Sequence, residues 1–188
     1  SMQIGSIEMG RSGSLIISVA APQFGALERP YVFRSQQPLR NVLAGPLGQA
    51  MHQDFLAKKD VRVLGIVNRG ARQLTTKNRA VRTPADLAGL KLRVPEIPVY
   101  VAAWRALGAS PTPMAFPEVF TALQQGTIDG QENPLGTING NSFHDVQKYL
   151  VLTSHVRGNG WMVASERFWQ SLAEADRKVV ETKNRADA

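Results

Sequence analysis

Three polar side chains stand where strand-like segments end. Arg72 follows Gly70-Ala71 after the apolar run at 61–67, Arg93 closes LKLRV (90–94), and Asn133 follows the short strand that begins at Gly130 and precedes Pro134. An arginine presents a planar fork that meets a carboxylate with two parallel hydrogen bonds, and it keeps its charge when buried. Open α/β sheets bind ligands outside the carboxyl ends of their strands. Two guanidiniums and an amide gathered there would form one anion pocket. Each residue alone has a plainer reading, because an arginine on the wet side of a strand is ordinarily a solvated charge. By alternation, Arg93 shares the polar side with Lys91, opposite Leu90, Leu92 and Val94.

Other chemistries find little support. The chain has no cysteine, which removes disulfides, thiolate catalysis and Cys-based zinc sites. His52, His144 and His155 form no pair at metal-ligand spacing, and no GxSxG, GxGxxG or Walker loop occurs. No cofactor is implied. Asp129 and Glu132 lie three apart, but Asp129 sits in an Asp-Gly turn, where its side chain ordinarily bonds backbone. An α/β enzyme using Asp129 or Glu132 with His144 or His155 stays open as an alternative. It requires a histidine and a carboxylate within hydrogen-bond reach.

The elements that must position these residues alternate between strand-like and helix-like, which predicts an α/β fold. Residues 13–20 read as a helix end or a strand, 36–58 as one or two amphipathic helices interrupted at Gly45-Pro46, and 61–67 as a strand. Thr83-Pro84 starts a helix with Thr83 as N-cap, and 99–107 is a helix stopped by Gly108. An extended piece follows at 110–115, then a helix at 117–125 ended by Gly126. A short strand after Gly130 leads to a helix opened by Asn133-Pro134. Strands are predicted at 148–153 and 160–164, and Ser171 to Glu174 forms a capping box before the last helix.

The 188 residues carry a formal charge of +7. Basic residues are scattered from Arg11 to Arg185, with no block of five like charges and no interleaved aromatics. Nucleic acid is therefore not the expected partner, and a positive field suits a small anion. No run of about 18 apolar residues spans a membrane. The apolar stretch 15–21 lacks the basic flank of a signal peptide, and Ser1-Met2 resembles a tag remnant.

The run from Arg82 to His155 resembles the substrate-binding proteins of TRAP transporters, the DctP-like family. The resemblance is carried by LKLRVPE, GASPTPMAFPEVFTALQQGTIDGQENP and FHDVQKYLVLTSH, in the family's order and spacing. It extends weakly to VRVLGIVNRGARQLTTKNRAVRTPADLAG, QIGSIEMG and RFWQSLAEADRKVV. It implies a periplasmic-binding-protein-like α/β fold, with two α/β domains and a ligand cleft between them. Residues 1–71 would give part of the first domain, 72–157 the second, and 158–188 the return to the first. A small organic acid would bind, delivered to TRAP membrane subunits in the periplasm.

By resemblance the carboxylate-clamping arginine falls on Arg93 and a second ligand arginine on Arg72, with Arg69 as competitor. The asparagine of the ENP motif falls on Asn133, and Phe116 falls where an aromatic ring packs against the ligand. Glu96 and Glu132 fall where some members contact polar substituents. Phe116 also reads as plain core, and Glu132 as a cap for the helix after Pro134.

The family has a strand, a helix and a second strand ahead of QIGSIEMG, and further helices after Arg167-Phe168-Trp169, without counterparts in this sequence. The expectation is therefore an incomplete first domain whose exposed sheet edges favour self-association. Ser12 and Arg11 would remain from the opposing wall. A family remnant that holds no ligand is a further reading.

Overall fold

A computed structural model describes residues 7–13, 17 and 21–186. Most of the segment 13–20, read from sequence as a helix end or a strand, lies outside the described residues. The chain divides into two compact units, residues 1–27, 34–69 and 158–188 in the first and 28–33 and 70–157 in the second.

In the first unit, β1 (Met9–Ser12) pairs antiparallel with β7 (Arg157–Ser165), Met9 against Ala164 and Ser12 against Trp161. β7 in turn lies beside β2 (Val61–Thr76). Two helices, α1 (Gln36–Ala44) and α2 (Pro46–Lys59), break at Gly45-Pro46 as the sequence predicts. Pro46 sits in the first turn of α2, where its missing N–H leaves no intrahelical bond unmade. Leu39 and Leu43, and Met51 and Phe55, recur at i,i+4 and bury one stripe of each helix. Trp161 and Val163 of β7 are buried in the same unit.

Arg62 of β2 forks onto Glu166 at 2.7 and 2.6 Å, at the start of α6 (Glu166–Ser171). The Ser165 hydroxyl caps that helix, accepting from the Phe168 N–H at 3.1 Å. The capping box predicted at Ser171 is not formed. The Ser171 hydroxyl donates to the Phe168 carbonyl instead, closing α6 before α7 (Glu174–Ala186) begins.

In the second unit, strand order is β2, β5 (Gly130–Pro134), β3 (Lys91–Val94), β4 (Ser110–Pro113), with β6 (Tyr149–Val151) also on β2. β5 and β6 run antiparallel to β2, whereas β3 runs parallel to both β4 and β5. α3 (Pro98–Ala106) ends before Gly108, whose φ of +92° suits glycine, and α4 (Val119–Gln125) ends at Gly126 with φ +73°. A short helix, α5 (Leu135–Gly140), follows β5. One apolar cluster gathers Leu74, Leu92, Val94, Tyr100 and Trp104. A second gathers Val119, Leu123, Ile128, Ile138 and Phe143. The predicted helix start at Thr83 is a single 3-10 turn, Pro84–Leu87, with the Thr83–Asp86 capping box intact.

β2 corrects the sequence reading. The strand does not end at Val67 but continues through Gly70, whose φ of +80° no β-branched residue would tolerate. Arg72 therefore lies within a strand, not after one.

A candidate carboxylate site

The site residues of the second unit come from three neighbouring strands. Register sets Arg72 opposite Pro134, Gln73 opposite Asn133 and Leu74 opposite Glu132 on β2 and β5, while Arg93 of β3 stands against Gln131. Arg72 and Glu132 are thus diagonal neighbours on one face of an antiparallel pair, close enough for long side chains to meet.

They meet fully. Arg72 Nε donates to Glu132 Oε2 at 2.5 Å and Nη2 to Oε1 at 2.9 Å. The same Nη2 donates to the Glu132 carbonyl at 2.7 Å and to Asn133 Oδ1 at 3.2 Å. Its guanidinium carbon stands 5.4 Å from the Tyr100 ring centroid, and the Tyr100 hydroxyl donates to Glu28 Oε2 at 3.0 Å. Burial pushes the Arg72 guanidinium down, but the Glu132 charge and hydrogen bond, together with Tyr100 and Glu28, outweigh it and hold Arg72 above its ordinary value. Burial pushes the Glu132 carboxyl up, but the Arg72 charge and the hydrogen bonds from His155 and Arg72 hold it below the usual carboxylate range.

His155 Nε2 lies 2.8 Å from Glu132 Oε2 and its Nδ1 lies 2.7 Å from the Thr153 hydroxyl. The tautomer with hydrogen on Nε2 satisfies both, donating to Glu132 and accepting from Thr153. The enzyme alternative asked for such a histidine–carboxylate pair, and these two residues meet its distance requirement. Both are buried, however, and both Glu132 oxygens are already held by Arg72. Asp129 instead accepts from the Lys91 N–H, and His144 is exposed beside Asp145. Glu132 does not cap the helix after Pro134.

Arg93 differs sharply from Arg72. It is 3 % exposed, and its Nε and Nη2 both donate to one backbone carbonyl, that of Met114, at 3.0 and 2.6 Å. Among the described residues no carboxylate lies within 4 Å of it. Burial pulls its guanidinium down to about 10; the Glu132 charge opposes this, while the smaller repulsion of Arg72 adds to it and Glu96 opposes it least. The ring of Phe116 lies 5.8 Å from its guanidinium carbon, and Phe116 packs on Phe143 at 5.9 Å. At 39 % exposure Phe116 is not the plain core residue that one reading made it.

Asn133 is buried and donates to Gln131 Oε1 at 2.6 Å. Gln131 donates to the Thr75 hydroxyl at 2.9 Å, which donates to Gln147 Oε1 at 3.2 Å. The sequence reading singles out Asn133, and His155 only under the enzyme alternative, but it misses Gln131, Thr75 and Gln147. The available signal was GQENP itself, three consecutive polar residues in a short strand bounded by Gly and Pro. Glu96 is exposed. Arg69 and Ser12 belong to the first unit, where Ser12 donates to the Gly13 carbonyl at 3.4 Å. No helix among the described residues is long and apolar enough to cross a membrane, and no group of three His, Asp or Glu side chains there could hold a metal ion.

Residues 1–186 match the model of the bacterial extracellular solute-binding proteins, family 7. The solute-binding protein RD1_1052 of Roseobacter denitrificans is 43% identical over 179 residues, which cover 95% of this chain and 54% of that protein. The sialic acid-binding periplasmic protein SiaP of Vibrio cholerae is 38% identical over 174 residues, 93% of this chain and 52% of that protein. The crystal structure of RD1_1052, a TRAP periplasmic solute-binding protein with bound L-galactonate, superposes with TM-score 0.91 at 41% identity, covering 99% of this chain and 61% of that one. A Polaromonas TRAP periplasmic solute-binding protein bound to D-erythronate superposes with TM-score 0.92 at 36% identity, covering 100% and 61%. The chain thus has the α/β fold of the TRAP periplasmic solute-binding proteins and spans about half the length of the curated relatives it matches. It belongs to the DctP family, family 7 of the bacterial extracellular solute-binding proteins.

Proposed function

We propose that this chain serves as an extracytoplasmic solute-binding protein that captures a small organic acid, of the sugar-acid class, for a TRAP-type transporter. One observation carries the reading: Arg93 is a buried guanidinium bonded to the Met114 carbonyl, and among the described residues no carboxylate lies within 4 Å to match its charge. A buried charge without an ionic partner costs several kcal/mol. A carboxylate arriving with its two oxygens removes that cost, and the fork geometry suits it.

Phe116 would offer its ring against the ligand, and Asn133 its place at the end of β5. Arg72 would act while tied to Glu132, and Glu132 would hold Arg72 instead of contacting ligand hydroxyls. Glu96, Arg69 and Ser12 remain candidates for outer contacts. The domain division at 1–71, 72–157 and 158–188 belongs to the same proposal, as do the periplasm and the TRAP membrane subunits as location and partner.

The proposed activity is binding, not catalysis. A general base needs a free carboxylate face or an exposed imidazole, whereas Glu132 and His155 are locked to Arg72 and Thr153. No cofactor or nucleic acid enters. Self-association is a separate proposal, favoured by Tyr149, Leu150 and Leu152 standing exposed on and just after β6.

Calorimetry against L-galactonate, D-erythronate and succinate tests the reading. Saturable binding of at least one acid supports it, and absence of binding by all of them overturns it.

A further inference from the structure

We infer that Gln131, Thr75 and Gln147 are positioning residues for the ligand site: a one-way row of hydrogen bonds through them fixes Asn133 as a donor to a ligand oxygen. The inference rests on the proposed function above and deepens it.

The strand register puts the row on the sheet face of Arg93. Arg93 stands against Gln131, Gln131 stands against Thr75, and Asn133 follows Gln131 on the same face of β5. All of these side chains are buried, and so is Gln147. The row begins at Arg72 Nη2, which donates to Asn133 Oδ1. Asn133 Nδ2 donates to Gln131 Oε1, Gln131 Nε2 to the Thr75 hydroxyl, and that hydroxyl to Gln147 Oε1. Gln147 Nε2 then donates to the Val146 carbonyl at 2.9 Å.

Both ends dictate the direction. A guanidinium can only donate, and a backbone carbonyl can only accept. Every link between them therefore points from Arg72 toward Val146. Turning the Asn133 amide over would set its amino group against the Arg72 guanidinium and its oxygen against Gln131 Oε1. Two buried hydrogen bonds would be lost at once. Bonds in such a row also polarise one another, so each link strengthens the next. Asn133 is left with one Nδ2 hydrogen to offer. It thus meets a carboxylate or hydroxyl oxygen of the ligand and turns away an ammonium or amide N–H.

Thr75→Val cuts the row at its middle with little change of shape, and Thr75→Ser keeps the hydroxyl. Two readouts are taken on the full chain. Heteronuclear NMR without ligand follows the Asn133 side-chain amide, assigned by its loss in Asn133→Asp. Calorimetry measures L-galactonate and D-erythronate. Thr75→Val should move the Asn133 amide resonances and weaken binding about fivefold to tenfold, the loss of roughly one hydrogen bond, while Thr75→Ser restores both. Gln147→Leu, at the far end of the row, should give the same signature, so a poorly folding Thr75→Val leaves the test in force. Rapid deuterium exchange of the Asn133 amide in the unsubstituted chain overturns the row without any variant. Unmoved Asn133 resonances in the folded variants overturn it too. Moved resonances with unchanged affinity overturn the positioning role while leaving carboxylate capture intact. Failure of the unsubstituted chain to bind either acid overturns capture, and the positioning role falls with it.

Discussion

Arg72 and Glu132 form a two-pronged ion pair, Nε to Oε2 at 2.5 Å and Nη2 to Oε1 at 2.9 Å, with side chains 8% and 0% exposed. Breaking such a pair from one side leaves the other charge buried and unmatched. Glu132→Ala should therefore lower folding stability by about 3–5 kcal/mol. Replacing both partners at once, Arg72→Met with Glu132→Leu, should cost far less, since neither variant residue leaves a charge behind. Urea unfolding of the single and double variants checks this. A single variant as stable as the parent chain would show that the pair contributes little.

The same pair sets a pH dependence. Glu132 is held below the usual carboxylate range by Arg72 and His155, and Glu166 is held below it chiefly by its hydrogen bond with Arg62. Unfolded glutamates titrate near ~4.3. A carboxyl with a depressed folded value binds fewer protons folded than unfolded, so its contribution is present above that unfolded value. The contribution is lost as pH falls through the folded value. Stability should already dip between pH 7 and about 5, because burial holds the His52 imidazole below its ordinary value and the unfolded chain takes up more protons there. It should then decline further through the carboxyl range. Chemical unfolding at pH 7, 5, 4 and 3 reads this, and Glu132→Gln should flatten the acid limb.

Arg93 should behave in the opposite sense from Arg72. Its removal takes away a buried cation that lacks an acid partner, so Arg93→Met should leave the melting temperature of the ligand-free chain unchanged or raised. Carboxylate affinity should fall by about 2–5 kcal/mol, the range for truncating one partner of a buried charge pair. Arg93→Lys should recover only part of it, because an ammonium lacks the fork. Thermal melts with and without ligand separate the two effects. A strongly destabilised Arg93→Met with normal ligand affinity would count against the clamp.

How far the sequence led depends on what each residue's neighbours are. The helix break at Gly45-Pro46 and the stops at Gly108 and Gly126 are local, and composition shows them. Arg93 was legible as a strand residue but read as wet, because alternation presumes one solvated face. β3 lies between two parallel neighbours, β4 and β5, so its polar side is buried too. The sequence reading puts Arg72 after its strand because the apolar run stops at Val67, whereas the strand passes through Gly70 to Thr76. The contact between His155 and Glu132 joins residues 23 apart across two elements. No periodicity encodes such a contact.

β6 carries an exposed row, with Leu150 at 53% and Leu152, just beyond the strand, at 68% exposure. Apolar residues beside a strand edge favour pairing with another chain. Sedimentation velocity should show concentration-dependent association, and Leu150→Lys with Leu152→Lys should shift the chain toward monomer. A concentration-independent monomer in the parent chain would remove the self-association proposal.

Phe116 offers the last test, because its ring serves Arg93 and the exposed side at once. Its centroid lies 5.8 Å from the Arg93 guanidinium carbon, within the range where a cation is attracted to the ring face. Exposure of 39% means that truncation removes little core, so Phe116→Ala should cost under about 1 kcal/mol of stability. Its effect on ligand should be larger than that. Losing the ring lets water reach the guanidinium and loosens its aim, so affinity for a sugar acid should drop about tenfold, or ~1.4 kcal/mol. Phe116→Leu keeps the apolar cover but not the ring quadrupole, and should fall between the two. Calorimetry paired with urea unfolding on both variants distinguishes this role from packing. Equal losses in stability and affinity would make Phe116 a packing residue only.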